Sequence, residues 1–428
     1  MRSSILLCSV LFASAGCSLA PDESVPSDER AGAVRQPDRI SPADDPTGLF
    51  PPVAGLPSFS PLLNDNISNA DVGKTFGTDD RHVPYPDTYW PYSENGIDVR
   101  WQGSDTQSPL EKLITVTNPQ YMDAAKEWNW RNHGQGAHGG QIQSWEGICN
   151  GWTAAATANA PLKHAVFAKR GAGGGIAACA EGTPDCVKFE IGDVNALMAE
   201  AYYDARSRLI GSRCDTMNVE RDEYGRIVRK VTSSGASVGC QGLNAGAFLI
   251  VLHRQLKEQR KPFVLDVQHP NTTAQIWNQP AFRYTINRYE ALNEAEAANL
   301  VATGRRTGAF TRYQWDDQAK GFVFVDASVF WVAESGPNVA PVSGLQSMQE
   351  LRVVAVIELD RPATDNRAKI IGGEYLDDPS VGANRLEVAP FAWLVTDTLP
   401  DNVVDPVGPR NHYVDPSVVK KLVAMGQR

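Results

Sequence analysis

Apolar positions along this chain fall into two regimes. In the first half they recur at helical spacing. Residues 194–209 place Leu197, Ala201 and Leu209 among charged neighbours, the period of an amphipathic helix. Thr153 to Ala160 is rich in alanine and stops at Pro161, which predicts a second helix. A third runs from Asn244 to about Glu258, with Phe248, Val251 and Leu252 as its apolar stripe. In the second half the apolar runs are shorter and richer in branched and aromatic side chains, at 263–268, 282–289, 322–332, 351–357 and 391–395. Phe282, Tyr284 and Ile286 alternate with polar residues, a half-buried strand pattern. Pro280, just ahead, restricts that strand to a sheet edge or a strand start. Helices first and strands later predict an α+β fold, a helical layer packed on an antiparallel sheet.

The N-terminus reads as an address. Arg2 precedes an apolar stretch over residues 5–13, and Ser14-Ala15-Gly16-Cys17 follows. Charge, apolar core and small residues make a secretion signal. The small residues ending at a cysteine resemble a bacterial lipoprotein signal. That resemblance implies removal of residues 1–16, a lipid on Cys17 and, with Ser18 next, an outer-membrane or cell-surface address. Ordinary cleavage after Ala20 is the alternative. Residues 17–62 are rich in Pro, Asp, Ser and Gly without apolar period, and read as a disordered tether; residues 63–428 read as the folded domain.

Charge narrows the partners. Against 40 Lys and Arg stand 50 Asp and Glu, a net charge of −10, which argues against a nucleic-acid binder. Beyond the N-terminus no apolar run reaches the ~20 residues that span a bilayer. No His/Cys cluster has zinc spacing, and the acidic pairs Asp79-Asp80, Asp316-Asp317 and Asp377-Asp378 lack EF-hand spacing.

The cysteines single out one thiol. Cys8 leaves with the signal and Cys17 is taken by lipid, so Cys149, Cys179, Cys186, Cys214 and Cys240 remain. Cys179 and Cys186 flank a Gly-Thr-Pro turn, and Cys214 and Cys240 flank a polar loop; pairing each couple leaves Cys149 free. It opens the alanine-rich helix, where aligned peptide dipoles favour a thiolate. Its bland reading is a buried, inert thiol. Gln143, six residues earlier, and Trp152 give the stretch a resemblance to papain-like cysteine enzymes, in which a Gln side chain and the nucleophile's own N–H bind an oxyanion.

Residues 276–289 contain Trp277-Asn278-Gln279-Pro280 and end in Tyr289, with Glu290 next. Together with Gly147-Ile148-Cys149-Asn150-Gly151-Trp152 and Ile370-Ile371-Gly372-Gly373-Glu374-Tyr375, this resembles the oomycete transglutaminase elicitor family, across residues 110 to 395 or so. The resemblance implies a papain/transglutaminase-like fold and an exported enzyme that joins a glutamine side chain to a lysine amine. It also implies protein substrates with exposed Gln and Lys. No cofactor is firmly implied, though the family analogy admits calcium. Ala389-Pro390-Phe391-Ala392-Trp393 departs from the His-Pro-Asp-Phe-like stretch expected there.

Thiol acyl transfer needs a base, and usually a group that orients it. Of seven histidines, His269 ends an apolar strand and follows Cys149 in the order of papain-like enzymes, so it is the candidate base. His82 and His412 read as solvated, His133 and His138 as residues of a Gly-rich loop that face solvent or, alternatively, approach the cleft, His253 as structural; His164 follows Pro161. Asn278 ranks first as orienter, with Asp266 and Asp326 as alternatives. The same scaffold would also suit a cysteine peptidase or amidase, or a non-catalytic surface binding module.

Overall fold

The computed structural model describes residues 60–172, 175–205, 243–268, 276–304, 318–376 and 409–428, Ile40, and short strand segments at 207–210, 220–221, 227–228, 231–232, 235–236 and 391–395. The predicted α+β order holds. Helices Pro109–Val116, Met122–His133, Cys149–Ala158 and Ile191–Ala201 precede an eight-stranded antiparallel sheet supplied mainly by the second half. A three-stranded sheet of Val166–Arg170, Ile176–Ala178 and Val187–Phe189 sits within the helical half, which the apolar pattern did not predict.

The longest strand, Ile276–Leu292, organises the large sheet. Its first part pairs with Phe263–Gln268, placing Asn278 opposite Asp266 and Pro280 opposite Val264. Its later part pairs with Gly321–Val332, beginning at Ala281 opposite Trp331. From Arg283 the other flank is taken by Thr75–Gly77. Pro280 therefore lies inside a strand, not at its start. It is tolerated because pairing to Gly321–Val332 begins one residue later, so that flank calls for no N–H there. Beyond Gly321–Val332 come Met348–Leu359 and Ile370–Tyr375. The last strand is joined by the approaching chain: Ile370 N–H donates to Pro61 O and Leu63 N–H to Ala368 O.

Two large hydrophobic cores form among the described residues. One buries Leu110, Leu113, Trp152, Leu197, Met198 and Leu422 among the helices. The other lies between the sheet face carrying Phe263, Leu265, Ala281 and Tyr284 and the helix Ala245–Leu252. That helix is capped by Asn244, whose Oδ1 accepts from Gly246 N–H at 2.8 Å. It continues as a π-helical segment, His253–Glu258, so the predicted span to Glu258 is one element with a change of pitch. The predicted helix over 194–209 is shifted: Ile191–Ala201 is helical, and Leu209 belongs to strand Ser207–Ile210. Its start is fixed by a capping box, Glu190 N–H donating to Asp193 Oδ2 at 2.7 Å.

Among the described residues no helix is long and apolar enough to cross a membrane. Cys17, the signal and most of the tether lie outside the described residues.

Candidate active site

Cys149 is the first residue of the helix Cys149–Ala158, and Ile148 before it supplies no side-chain cap. Two neighbouring glycines fix its position. Gly147 pairs with Pro91 in an isolated bridge, flanked by Ile148 N–H donating to Tyr89 O at 2.7 Å and Tyr92 N–H to Glu146 O at 2.9 Å. A Cβ on Gly147 would sit 2.4 Å from Tyr89 O. Gly151 lets the helix press against Ile191–Ala201, where a Cβ would lie 1.9 Å from Ala199 O. Asn150 Nδ2 donates to Tyr203 O at 3.0 Å and Trp152 Nε1 to Tyr85 O at 3.2 Å. The Gly-Ile-Cys-Asn-Gly-Trp stretch is thus a docking device that sets one sulfur at the end of a helix.

That sulfur meets the sheet. Asn278 Nδ2 donates to Cys149 Sγ at 3.1 Å, and both residues are fully buried. Asp266, also fully buried, stands opposite Asn278 on the adjoining strand. An N–H donor beside sulfur favours the thiolate over the thiol. The site lies where the helical layer contacts strands Phe263–Gln268 and Ile276–Leu292.

The cysteine expectation needs one correction. Cys179 and Cys186 are bridged as expected, with Cα atoms 5.9 Å apart. Cys149, however, is disulfide-bonded rather than free. Its partner, like Cys214 and Cys240, lies outside the described residues. Counting cysteines fixes how many sulfurs are left over, not which.

His269 lies outside the described residues, immediately past the end of strand Phe263–Gln268. Among the described residues no histidine hydrogen-bonds to Cys149. Gln143 is exposed on a turn, its N–H donating to Glu146 Oε2 at 3.1 Å, and its side chain makes no hydrogen bond to the sulfur. Asp326 belongs elsewhere: Arg352 grips both its oxygens, Nε at 3.0 Å and Nη2 at 2.7 Å. Asn287 Nδ2 adds a third bond at 3.2 Å, so Asp326 serves the sheet and not the sulfur.

The other histidines sort clearly. His133 is not in a solvent-facing loop but buried at a helix end, Nδ1 3.0 Å from Glu200 Oε2 and stacked on Tyr92 with ring centroids 5.4 Å apart. Its partner lies 67 residues away, a pairing that spacing alone does not reveal. His412 is half-buried and edge-on to Trp128 rather than solvated, and burial lowers its pKa. His82 and His138 are exposed. His253 is buried and structural as expected, 3.4 Å from Glu258, and its pKa is lowered to about 4 by burial and by Lys257.

One titratable group that sequence reasoning missed is tied to the strand that carries Asn278. Glu334, just past strand Gly321–Val332, has an enclosed Oε1 without a hydrogen bond. Burial raises its pKa to about 8, against an opposing hydrogen bond from Gln279, the neighbour of Asn278. Tyr89, whose carbonyl receives Ile148 N–H, is pushed up to about 12 by burial and then by Glu334. Among the described residues no group of three or more His, Cys, Asp or Glu side chains is placed to hold a metal ion.

Comparison with known proteins agrees with this architecture. The family model described as transglutaminase elicitor matches residues 123–421. No curated protein sequence matches the chain. Among solved structures, the crystal structure of the GP42 transglutaminase from Phytophthora sojae is similar with a TM-score of 0.60 and 19% identity, covering 84% of this chain and 93% of that one. At that identity the likeness is one of fold.

Proposed function

Since the chain belongs to the transglutaminase elicitor family, we propose that it is an exported protein-glutamine acyltransferase whose nucleophile, Cys149, is held in reserve as a disulfide. The observation that carries this reading is the buried Asn278 amide aimed at the Cys149 sulfur, at the start of a helix that no side chain caps.

The chemistry begins with release. Two thiols of a reductant exchange with the disulfide, freeing Cys149 and its partner as thiols and leaving the reductant oxidised. The Cys149 thiolate then attacks the carboxamide carbon of a glutamine side chain. Ammonia leaves with a proton returned by the base, for which His269 is our candidate, and a thioester remains. A lysine amine attacks that thioester, and Cys149 departs as a thiol. Asn278 would stabilise the thiolate before attack and again as it leaves. The substrates are proteins with exposed Gln and Lys, and a lipid on Cys17 would hold the enzyme at a membrane surface.

The test is incorporation of a labelled amine into casein, with reductant present. Activity in the reduced wild type that disappears in Cys149→Ala supports the reading. No incorporation, with or without added calcium, refutes it. The disulfide at Cys149 favours a second reading, a non-catalytic surface module on the same scaffold. That reading requires the reduced protein to show no acyl transfer and Cys149→Ala to lose stability alone.

A further inference from the structure

Asn278 uses only half of its carboxamide. A disulfide sulfur carries no hydrogen, so the 3.1 Å contact with Cys149 Sγ is made by the Nδ2 N–H. The other end of the group, Oδ1, accepts no hydrogen bond, although the residue is fully buried. Enclosing a carbonyl oxygen without a donor costs stability, and native folds do so rarely. Asp266 stands opposite on the adjoining strand and on the same face of the sheet. It does not fill the gap, because a carboxylate has no proton to give.

The oxygen left over is close to the reacting atoms. Amide nitrogen and oxygen are about 2.2 Å apart, so with Nδ2 at 3.1 Å, Oδ1 lies within roughly 5.3 Å of the sulfur. An acyl group on that sulfur puts the nitrogen that leaves or joins its carbon two bonds away, a gap that one hydrogen bond to Oδ1 can span. The strand fixes the amide there, inside the paired run from Ile276 to Ala281. A neutral carbonyl acceptor at this place discriminates between nucleophiles. A neutral amine becomes positively charged as its nitrogen bonds to carbon, and its N–H groups turn into strong, charge-assisted donors. A water molecule activated by a base loses a proton as it attacks, so its oxygen develops no such charge. Fixed dipoles act most where charge develops away from solvent.

We propose that Asn278 Oδ1 accepts a hydrogen bond from the nitrogen bonding to, or leaving, the acyl carbon, and so makes the thioester on Cys149 favour amines over water. The proposal rests on the acyl-transfer reading above. The acceptor lysine, having given its extra proton to solvent, attacks as a neutral amine. Its lone pair forms the C–N bond while the C–S bond breaks. One N–H is held by Oδ1, which takes no proton. The other nitrogen-bound proton passes through the base to the departing sulfur. Thioester and amine thus give an amide and a Cys149 thiol, with both hydrogens accounted for and no net charge on either side. In the first half-reaction the same oxygen receives an N–H of the departing ammonia.

The test loads the acyl group without ammonia. 4-Nitrophenyl acetate acylates the reduced full-length protein, and the acyl group then partitions between water and dansylcadaverine. The ratio of amide to acid does not depend on how fast the thioester forms. Asn278→Ala should lower that ratio by about tenfold or more, the loss expected for one hydrogen bond to a charged group. Asn278→Leu, close in volume but without the oxygen, should do the same and serves where Asn278→Ala does not fold. Asn278→Asp keeps an oxygen in place and should retain most of the wild-type ratio. An unchanged ratio in Asn278→Ala or Asn278→Leu would overturn the assignment; it is the result if Asn278 only stabilises the thiolate or orients the base, roles that slow both routes alike. A ratio in Asn278→Asp as low as in Asn278→Ala would overturn it too. If the reduced wild type releases no ammonia from a glutaminyl peptide, or Cys149→Ala forms the same products, the acyl-transfer reading itself fails and takes this proposal with it.

Discussion

Asn278 and Cys149 lie 129 residues apart in the chain, yet the Asn278 Nδ2 is 3.1 Å from the Cys149 sulfur with both side chains sealed from solvent. One is delivered by a helix start and the other by the strand opposite Asp266. The contact joins the two stretches that carry the family resemblance, Gly-Ile-Cys-Asn-Gly-Trp and Trp-Asn-Gln-Pro, into one site.

This contact predicts the behaviour of two substitutions. Asn278→Ala removes the donor, so the thiol labelling pKa of reduced Cys149 should rise and kcat/KM for amine incorporation should fall on the order of 10- to 100-fold. Asn278→Asp sets a negative charge beside the sulfur and should raise the thiol pKa further. The rate of iodoacetamide labelling against pH measures both. Unchanged profiles in both variants would remove Asn278 from the site.

Reactivity should be gated by redox state. Before reduction, Cys149 should resist alkylation; after treatment with a dithiol it should label, and amine incorporation should appear in parallel. Peptide mapping of alkylated protein with and without reductant reads this directly. Full labelling without reductant would mean that the bridge does not form.

Gly151 is the packing pivot. A methyl group there meets Ala199 O, and overpacking of this kind costs about 3 kcal/mol. Gly151→Ala should lower the unfolding free energy by that amount, shifting the denaturant midpoint down, and loosen the position of the sulfur two residues away. Denaturation curves and single-turnover rates on the same samples check both consequences.

Two enclosed groups give stability opposite slopes with pH. His253 titrates at about 4 when folded and at its ordinary 6.5 when unfolded, so between these values the unfolded chain binds more protons. Stability from this group falls as pH drops from 6.5 toward 4, by at most about 1.4 kcal/mol per unit. Glu334 titrates at about 8 when folded against an ordinary 4.5, so here the folded chain binds more protons and stability falls as pH rises through that window. His253→Leu should flatten the acid side of the curve and Glu334→Gln the alkaline side. Chemical denaturation across pH 4 to 9 or so distinguishes the contributions; parallel curves for wild type and variants would contradict both.

Much of the architecture was legible because period and composition report local structure. Strand 263–268 lies where its branched and aromatic run places it, and the alanine run after Cys149 is helical. Leu209 was misplaced because apolar spacing across Tyr202–Ser207 continues a helical pattern that the chain breaks at Ala201, where tertiary pairing with Phe391–Val395 wins. The site was half legible. Cys149 and Asn278 stood out through the motifs around them. Glu334 did not, since a single Glu after a strand has no sequence signature; only the enclosure of its Oε1 marks it. His133 was misread for a related reason: its burial depends on Glu200, Tyr92 and Tyr203, which come together only in the folded helical layer. The disulfide of Cys149 was equally out of reach, because pairing among several cysteines is decided by spatial proximity and not by the loop they flank.

The central claim is that the Cys149 sulfur carries the acyl group. Mass spectrometry of the reduced protein, quenched with acid after brief exposure to a glutamine donor peptide, tests it most directly. The account predicts a covalent adduct equal to the peptide less one ammonia, mapped to Cys149, absent from Cys149→Ala and discharged by added amine. An unmodified Cys149 under those conditions, or the same adduct in Cys149→Ala, would contradict it.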